Sequence, residues 1–139
     1  IKRPVEIVMG NTGIVANTEA AVKGVRERKE RNPKKYEKIF NEANELANAA
    51  RKALLDHDLR VVGKLMDENH RQLQAIEVSC KELDHLVELA RANGAYGAKM
   101  TGGGLGGNMV ALTPGKDLQE KVARAIKKDG FEALMTRIG

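Results

Sequence analysis

The stretch AKMTGGGLGGNMVAL, residues 98–112 of this 139-residue chain, holds the residues best suited to chemistry: five glycines in the six positions 102–107, preceded by Lys99 and Thr101. Backbone N–H groups with no side chains to shield them can converge on an anion, and a neighbouring lysine and hydroxyl would add a charge and a donor. The plainer alternative is a flexible link between two strands, because glycine supplies the positive φ that tight turns require. Five glycines in six positions exceed what a hairpin turn needs, which favours phosphate recognition.

Gly102, Gly104 and Gly107 also satisfy G-x-G-x-x-G, but dinucleotide binding needs a helix N-terminus directly after the loop to hold the pyrophosphate. Here a β-like run follows at 108–113, and the next helix waits until about Asp117. A Walker loop fails for want of its closing Gly-Lys-Ser/Thr. A protein-kinase glycine loop does lie between strands, yet neither H-R-D nor D-F-G occurs, and Asp129–Phe131 reads DGF.

Other polar candidates are few. Asn17 and Thr18 can each cap a helix, with Glu19 favourably placed in its first turn. Asn69, with His70 at its edge, lies in an apolar helical stripe, where a polar group needs a partner. Ser79 and Glu82 have capping-box spacing. His57 and His85 read as surface residues, and Cys80 follows a cap with no evident chemical role.

Apolar periodicity supplies the scaffold that must position these groups. Residues 5–9 form a strand, and a helix opens at Asn17 or Thr18 with Ala21, Val22 and Val25 on its inner stripe. The run RERKERNPKK ends that helix; its mixed signs read as solvated surface rather than an anion patch, and Pro33 can begin the next helix. A long amphipathic helix over 36–55 shows Phe40, Ala43, Ala47, Ala50 and Leu54 on one face. The next shows Val62, Met66, Leu73 and Ile76, and a third shows Leu83, Leu86, Val87 and Ala90 before Gly94 as its C-terminal stop. Strands at 95–101 and 108–113 flank the glycines, a helix carries Leu118, Val122, Ala125 and Ile126, and FEALMTRI closes as a strand. The order predicts an α+β fold: a ferredoxin-like β-α-β-β-α-β skeleton with extra helices inserted after its first helix.

Length and composition bound the rest. The chain suits one domain spanning 1–139. A net charge of +5 favours anionic ligands, while the absence of Trp, with two Tyr and two Phe, removes the stacking platforms of single-strand nucleic-acid binders. One cysteine allows no internal disulfide, and no apolar run approaches the roughly 20 residues of a membrane span. The expectation is a soluble cytoplasmic protein that binds neither nucleic acid nor membrane. A strand beginning almost at the first residue, with no initiator Met, leads us to expect a piece of a longer chain.

The segment GAKMTGGGLGGNMVALTPG resembles the third signature of the GHMP kinases, and MDENHRQLQAIEVSCKELDHLVELARANGAYGAK and NTGIVANTEAAVKGVRERKERNP are similar to the mevalonate kinase branch. The resemblance implies the C-terminal lobe of an ATP-dependent small-molecule kinase that phosphorylates the mevalonate hydroxyl in isoprenoid biosynthesis. It implies that Lys99, Thr101, Gly102, Gly103, Gly104, Gly106 and Gly107 face the nucleotide phosphates. It also implies that Asn17 and Thr18 lie near the acceptor, either as substrate contacts or as a helix cap. His70, which with Asn69 matches an Asn-His pair of the family, is either a substrate contact or a satisfied group at a helix interface. Leu105 and Asn108 stand where many mevalonate kinases carry glycine and cysteine. The family's main phosphate loop, Pro-x-x-x-Gly-Leu-Gly-Ser-Ser, and its catalytic Asp and Lys come from an N-terminal lobe that this sequence lacks. No catalytic residue or metal ligand is therefore expected here; ATP and Mg2+ would be bound mainly by the other lobe, and the isolated fragment should be inactive. Expected partners are mevalonate, ATP and the N-terminal lobe, with a homodimer left open. The alternatives are another GHMP kinase, such as a phosphomevalonate kinase, or a non-catalytic ferredoxin-like binding module.

Overall fold

A computed structural model of the chain describes residues 3–139. The elements run β1 (Val5–Asn11), α1 (Thr18–Arg31), α2 (Pro33–Leu55), α3 (Leu59–Ala75), α4 (Lys81–Ala92), β2 (Gly97–Thr101), β3 (Asn108–Leu112), α5 (Lys116–Lys128) and β4 (Glu132–Ile138). The strands form one four-stranded sheet in the order β2-β3-β1-β4, each neighbouring pair antiparallel. Strand β3 lies between β1 and β2, the two strands joined by the helical crossover, so the skeleton is the expected split βαβ.

Strand alternation divides the core between the two faces of the sheet. Val8, Ala98, Met100, Met109 and Ala111 meet Leu83, Leu86, Val87 and Ala90 of α4 and Val122, Ala123 and Ile126 of α5. On the opposite face Val5, Ile7 and Leu112 meet Ala53 of α2 and Val62 of α3. The apolar stripe read for α4 is fully buried, which its period of three and four residues requires of a helix lying flat on a sheet.

Four local expectations change. The helix beside α5 on the main face is α4, so the added helices α1–α3 precede the skeleton's crossover helix rather than follow it. Val22 is 52% exposed; Ala21 and Val25 alone carry the inner side of α1. The N-cap of α4 is Cys80, with no side-chain cap bond, because the Ser79 hydroxyl donates instead to Asp84 Oδ1 at 2.7 Å. The alanine stripe of α2 is only partly covered, its fully buried positions being Tyr36 and Ala53.

Helix α3 guards the sheet edge. Gly63 of α3 and Gly97 of β2 touch backbone to backbone: a Cβ on Gly63 would lie 2.2 Å from the Tyr96 carbonyl oxygen. One and two turns further on, the edge N–H of Ala98 donates to Asp67 Oδ1 at 3.0 Å and that of Met100 to His70 Nδ1 at 3.1 Å. Side chains thus occupy ladder positions that an unprotected edge would offer to another strand.

Candidate functional site

The five glycines leave β2 at Thr101 and re-enter the sheet at Asn108, and their path departs from a simple hairpin. Gly102, Gly104, Leu105, Gly106 and Gly107 all have positive φ, between 59° and 147°. At Gly104, with φ of 90°, a Cβ would also lie 2.7 Å from the Val78 carbonyl oxygen. Leu105 is the one non-glycine in this run, at φ of 59°, a left-handed value that an L-residue adopts at some cost. Its side chain packs against the main core, which offsets that cost.

Two other segments, the α3–α4 and β1–α1 connections, pin the loop. Leu105 N–H donates to the Val78 carbonyl at 2.8 Å, Asn17 N–H donates to the Gly104 carbonyl at 3.2 Å, and Gly107 N–H donates to the Ile14 carbonyl at 2.7 Å. Thr12 closes the far end, donating to the Gly107 carbonyl from its N–H at 3.0 Å and from its hydroxyl at 2.9 Å. Among the described residues, the N–H groups of Gly102, Gly103, Gly104 and Gly106 have no protein acceptor. These four donors, on a loop held by bonds at Gly104, Leu105 and Gly107, are the chemistry the site offers: pre-positioned partners for oxyanions.

The N-terminus of α1 abuts the same loop. Asn17 caps it, its Oδ1 accepting from Ala20 N–H at 3.0 Å, and Thr18 lies so close to Gly103 that a Cβ there would meet the Thr18 hydroxyl. A helix N-terminus concentrates unpaired N–H groups and a positive dipole end, so the loop and α1 together favour negative charge. Beside them, residues 11–16, Gly107 and Gly130–Glu132 line an open hollow of about 560 Å³, with Val15 89% exposed on its wall.

The structure thus gathers Asn17, Thr18 and the glycines at one place, with Thr101 at the strand end leading into them. Lys99 and His70 lie elsewhere. Ala98 and Met100 enter the main core, so Lys99 must project from the other face, where it lines a separate cavity with α2 and α3. Burial lowers the pKa of its amine from the ordinary lysine value. His70 is 1% exposed with both ring nitrogens engaged, Nδ1 accepting from Met100 N–H and Nε2 facing Asp84 Oδ1 at 2.8 Å. That network assigns the proton to Nε2. Of the two readings of His70, the buried, satisfied one describes its place: it anchors β2 one residue before Thr101.

Burial lowers the His70 pKa against the opposing pull of Asp84. Burial would raise the Asp84 pKa, but hydrogen bonds from Ser79, Gln74 and His70 outweigh it and hold the carboxyl below its usual value. Thr12 and Asp67 were not singled out from sequence; only the contacts across the fold, to Gly107 and to Ala98 with Arg91, reveal their positioning roles. Among the described residues no three His, Cys, Asp or Glu side chains converge as a metal cage, and no helix is long and apolar enough to cross a membrane.

Comparison with known proteins places this geometry in context. The family model described as GHMP kinases C terminal matches residues 50–132. A mevalonate kinase of Pyrococcus horikoshii is 42% identical over 137 residues, covering 95% of this chain and 40% of its own. A human galactokinase is 51% identical over 76 residues, 53% of this chain and 19% of its own. The crystal structure of L. major mevalonate kinase in complex with R-mevalonate superposes with a TM-score of 0.90 at 31% identity, covering 96% of this chain and 43% of that one. This chain spans about 40% of the length of the curated mevalonate kinases it matches.

Proposed function

Because this chain belongs to the GHMP kinase C-terminal family, we propose that it is the C-terminal lobe of a mevalonate kinase, the lobe that closes over nucleotide and acceptor during transfer of the ATP γ-phosphate to the mevalonate hydroxyl. In this reading residues 1–139 are one lobe, and the N-terminal lobe with its main phosphate loop and catalytic Asp and Lys is its partner. The observation that carries it is the glycine loop pressed against the α1 N-terminus, with four N–H donors left for phosphate oxygens.

Phosphoryl transfer depends mainly on positioning and on stabilising charge spread over the phosphoryl oxygens. The part for this lobe is positional: Gly102, Gly103, Gly104 and Gly106 offer N–H groups, Thr101 a hydroxyl, and the capped start of α1 a positive dipole end. Side chains on the loop would stand between those N–H groups and the phosphates. Thr18, against Gly103, is suited to hold the acceptor side of the same pocket. Mg2+ would supply charge neutralisation at the phosphates, and since the described residues form no carboxylate cage, we assign its ligands to the nucleotide and the other lobe.

The test is an assay of the full-length gene product against mevalonate, phosphomevalonate and galactose with ATP, alongside the 139-residue chain alone. Phosphorylation of mevalonate by the full-length protein, with no turnover by the isolated chain, is expected. Turnover only of phosphomevalonate or galactose would move the chain to another branch. The partial match to a human galactokinase is the reason galactose is included.

A further inference from the structure

A second cavity, of about 300 Å³, lies between α2 and α3, and Ala43, Ala47, Ala50, Met66, Asn69 and Lys99 are among its walls. None of the loop glycines lines it. We propose that it is a binding site for a small amphipathic anion, in which Lys99 and Asn69 take an oxyanion head and the alanine face of α2 takes a short aliphatic body. The site is independent of the glycine loop and of the kinase reading.

The cavity has a specific origin. Ala43, Ala47 and Ala50 fall at i, i+4 and i+7 on the stripe of α2 that faces α3, where larger residues would close the gap. It is a cleft open to solvent at Ala47 rather than a sealed void, and its volume of about 300 Å³ admits a small organic molecule. That room matches a head group and about five carbons.

The lysine is equally specific. Strand alternation aims Lys99 toward this face, and among the described residues no carboxylate lies within ion-pair distance of its ammonium and no acceptor bonds it. Lys99 is only partly buried and lines the cavity. Asn69 donates to Gln72 Oε1 at 3.1 Å and has a second amide hydrogen for a ligand. Burial disfavours the charged amine, and the opposite charge of an anionic head would offset that effect. Apolar alanines around one unpaired cation define a ligand that is apolar on one side and anionic on the other.

The test is an amide NMR titration of this chain with 3-methylbutanoate, with the neutral 3-methylbutanol and with inorganic phosphate, on wild type, Lys99→Met and Ala47→Leu. Ala47 is exposed on the helix, so leucine there fills the opening without disturbing the core, and Lys99→Met keeps the stem and removes the charge. Saturable shifts at Ala43, Ala47, Met66 and Met100 with 3-methylbutanoate are expected, at least tenfold weaker in both variants. Shifts with the alcohol and with phosphate at the same residues should be at least tenfold weaker in wild type. Non-saturable shifts, equal binding by Lys99→Met, or phosphate shifting the cavity as tightly as the carboxylate would each overturn the proposal.

Discussion

Replacing Gly104 by alanine should destabilise this chain by about 2.5 kcal/mol, about 1 kcal/mol more than the same change at Gly102. Both glycines have positive φ, 90° and 85°, so both alanines incur the left-handed cost of about 1–2 kcal/mol. The surroundings differ. A Cβ at Gly102 meets nothing within 4 Å, whereas at Gly104 it lies 2.7 Å from the Val78 carbonyl oxygen, short of ordinary contact at 3.4 Å by 3.4 − 2.7 = 0.7 Å. That oxygen also accepts the Leu105 N–H at 2.8 Å, and moving the loop by 0.7 Å would stretch the bond to about 3.5 Å, forfeiting about 1 kcal/mol. Urea denaturation followed by circular dichroism gives both values. In heating, the difference corresponds to about 2–4 °C between the variants, at about 2–4 °C per kcal/mol for a chain near this size. Equal destabilisation of the two variants would refute the reasoning, since it would mean that the Val78 contact has no weight and that backbone conformation alone decides.

Leu105→Gly should be about 1 kcal/mol more stable than Leu105→Ala, the reverse of the usual order, because φ is 59° there; urea denaturation of the pair would read the sign, and alanine proving the more stable would contradict it. Stability should fall as pH drops below about 6.5, because the folded His70 pKa lies under its unfolded value and the folded state resists the proton. Protonation at Nδ1 would set it against the Met100 N–H, so a pH series should show the loss in wild type and a flatter profile in His70→Gln. A second loss is expected below about 3.8 as Asp84, whose pKa is lowered, takes up its proton. Gly63→Ala drives a Cβ to 2.2 Å from the Tyr96 carbonyl, backbone against backbone, so α3 must lift from β2 and release Asp67 and His70. A loss above about 3 kcal/mol is expected from overpacking and broken hydrogen bonds, and a thermal melt within a few degrees of wild type would refute it.

Much of the scaffold was legible because it rests on local signals. The buried stripe of α4 follows from spacing, Gly94 sits just past α4 with φ of 101°, Pro33 opens α2, and Asn17 caps α1. The misreadings share a cause. Val22 has the right period but faces solvent, and Ser79 has capping spacing but its hydroxyl is taken by Asp84, because spacing alone does not say which side of a helix is covered or which of two nearby acceptors a hydroxyl takes. Lys99 suggested a phosphate partner through its adjacency to the glycines and its place in the resembling signature. In a strand, adjacent residues point to opposite faces, and only the burial of Ala98 and Met100 tells which face a lysine must take.

The sequence by itself determined the element order, the α+β class and the presence of a glycine loop in a β-loop-β setting, since periodicity, caps and turn residues are properties of short windows. Tertiary structure alone decided what holds that loop: Thr12, Ile14, Asn17 and Val78, of which only Asn17 carried a signal in the sequence. It also decided that α4, not α1, is the crossover helix on the main face, and that α3 guards the β2 edge through Gly63, Asp67 and His70. The physical reason is the same throughout. A backbone donor needs an acceptor, but which of many distant carbonyls, carboxylates or imidazoles supplies it is fixed by how helices and strands stack, and no local window contains that information.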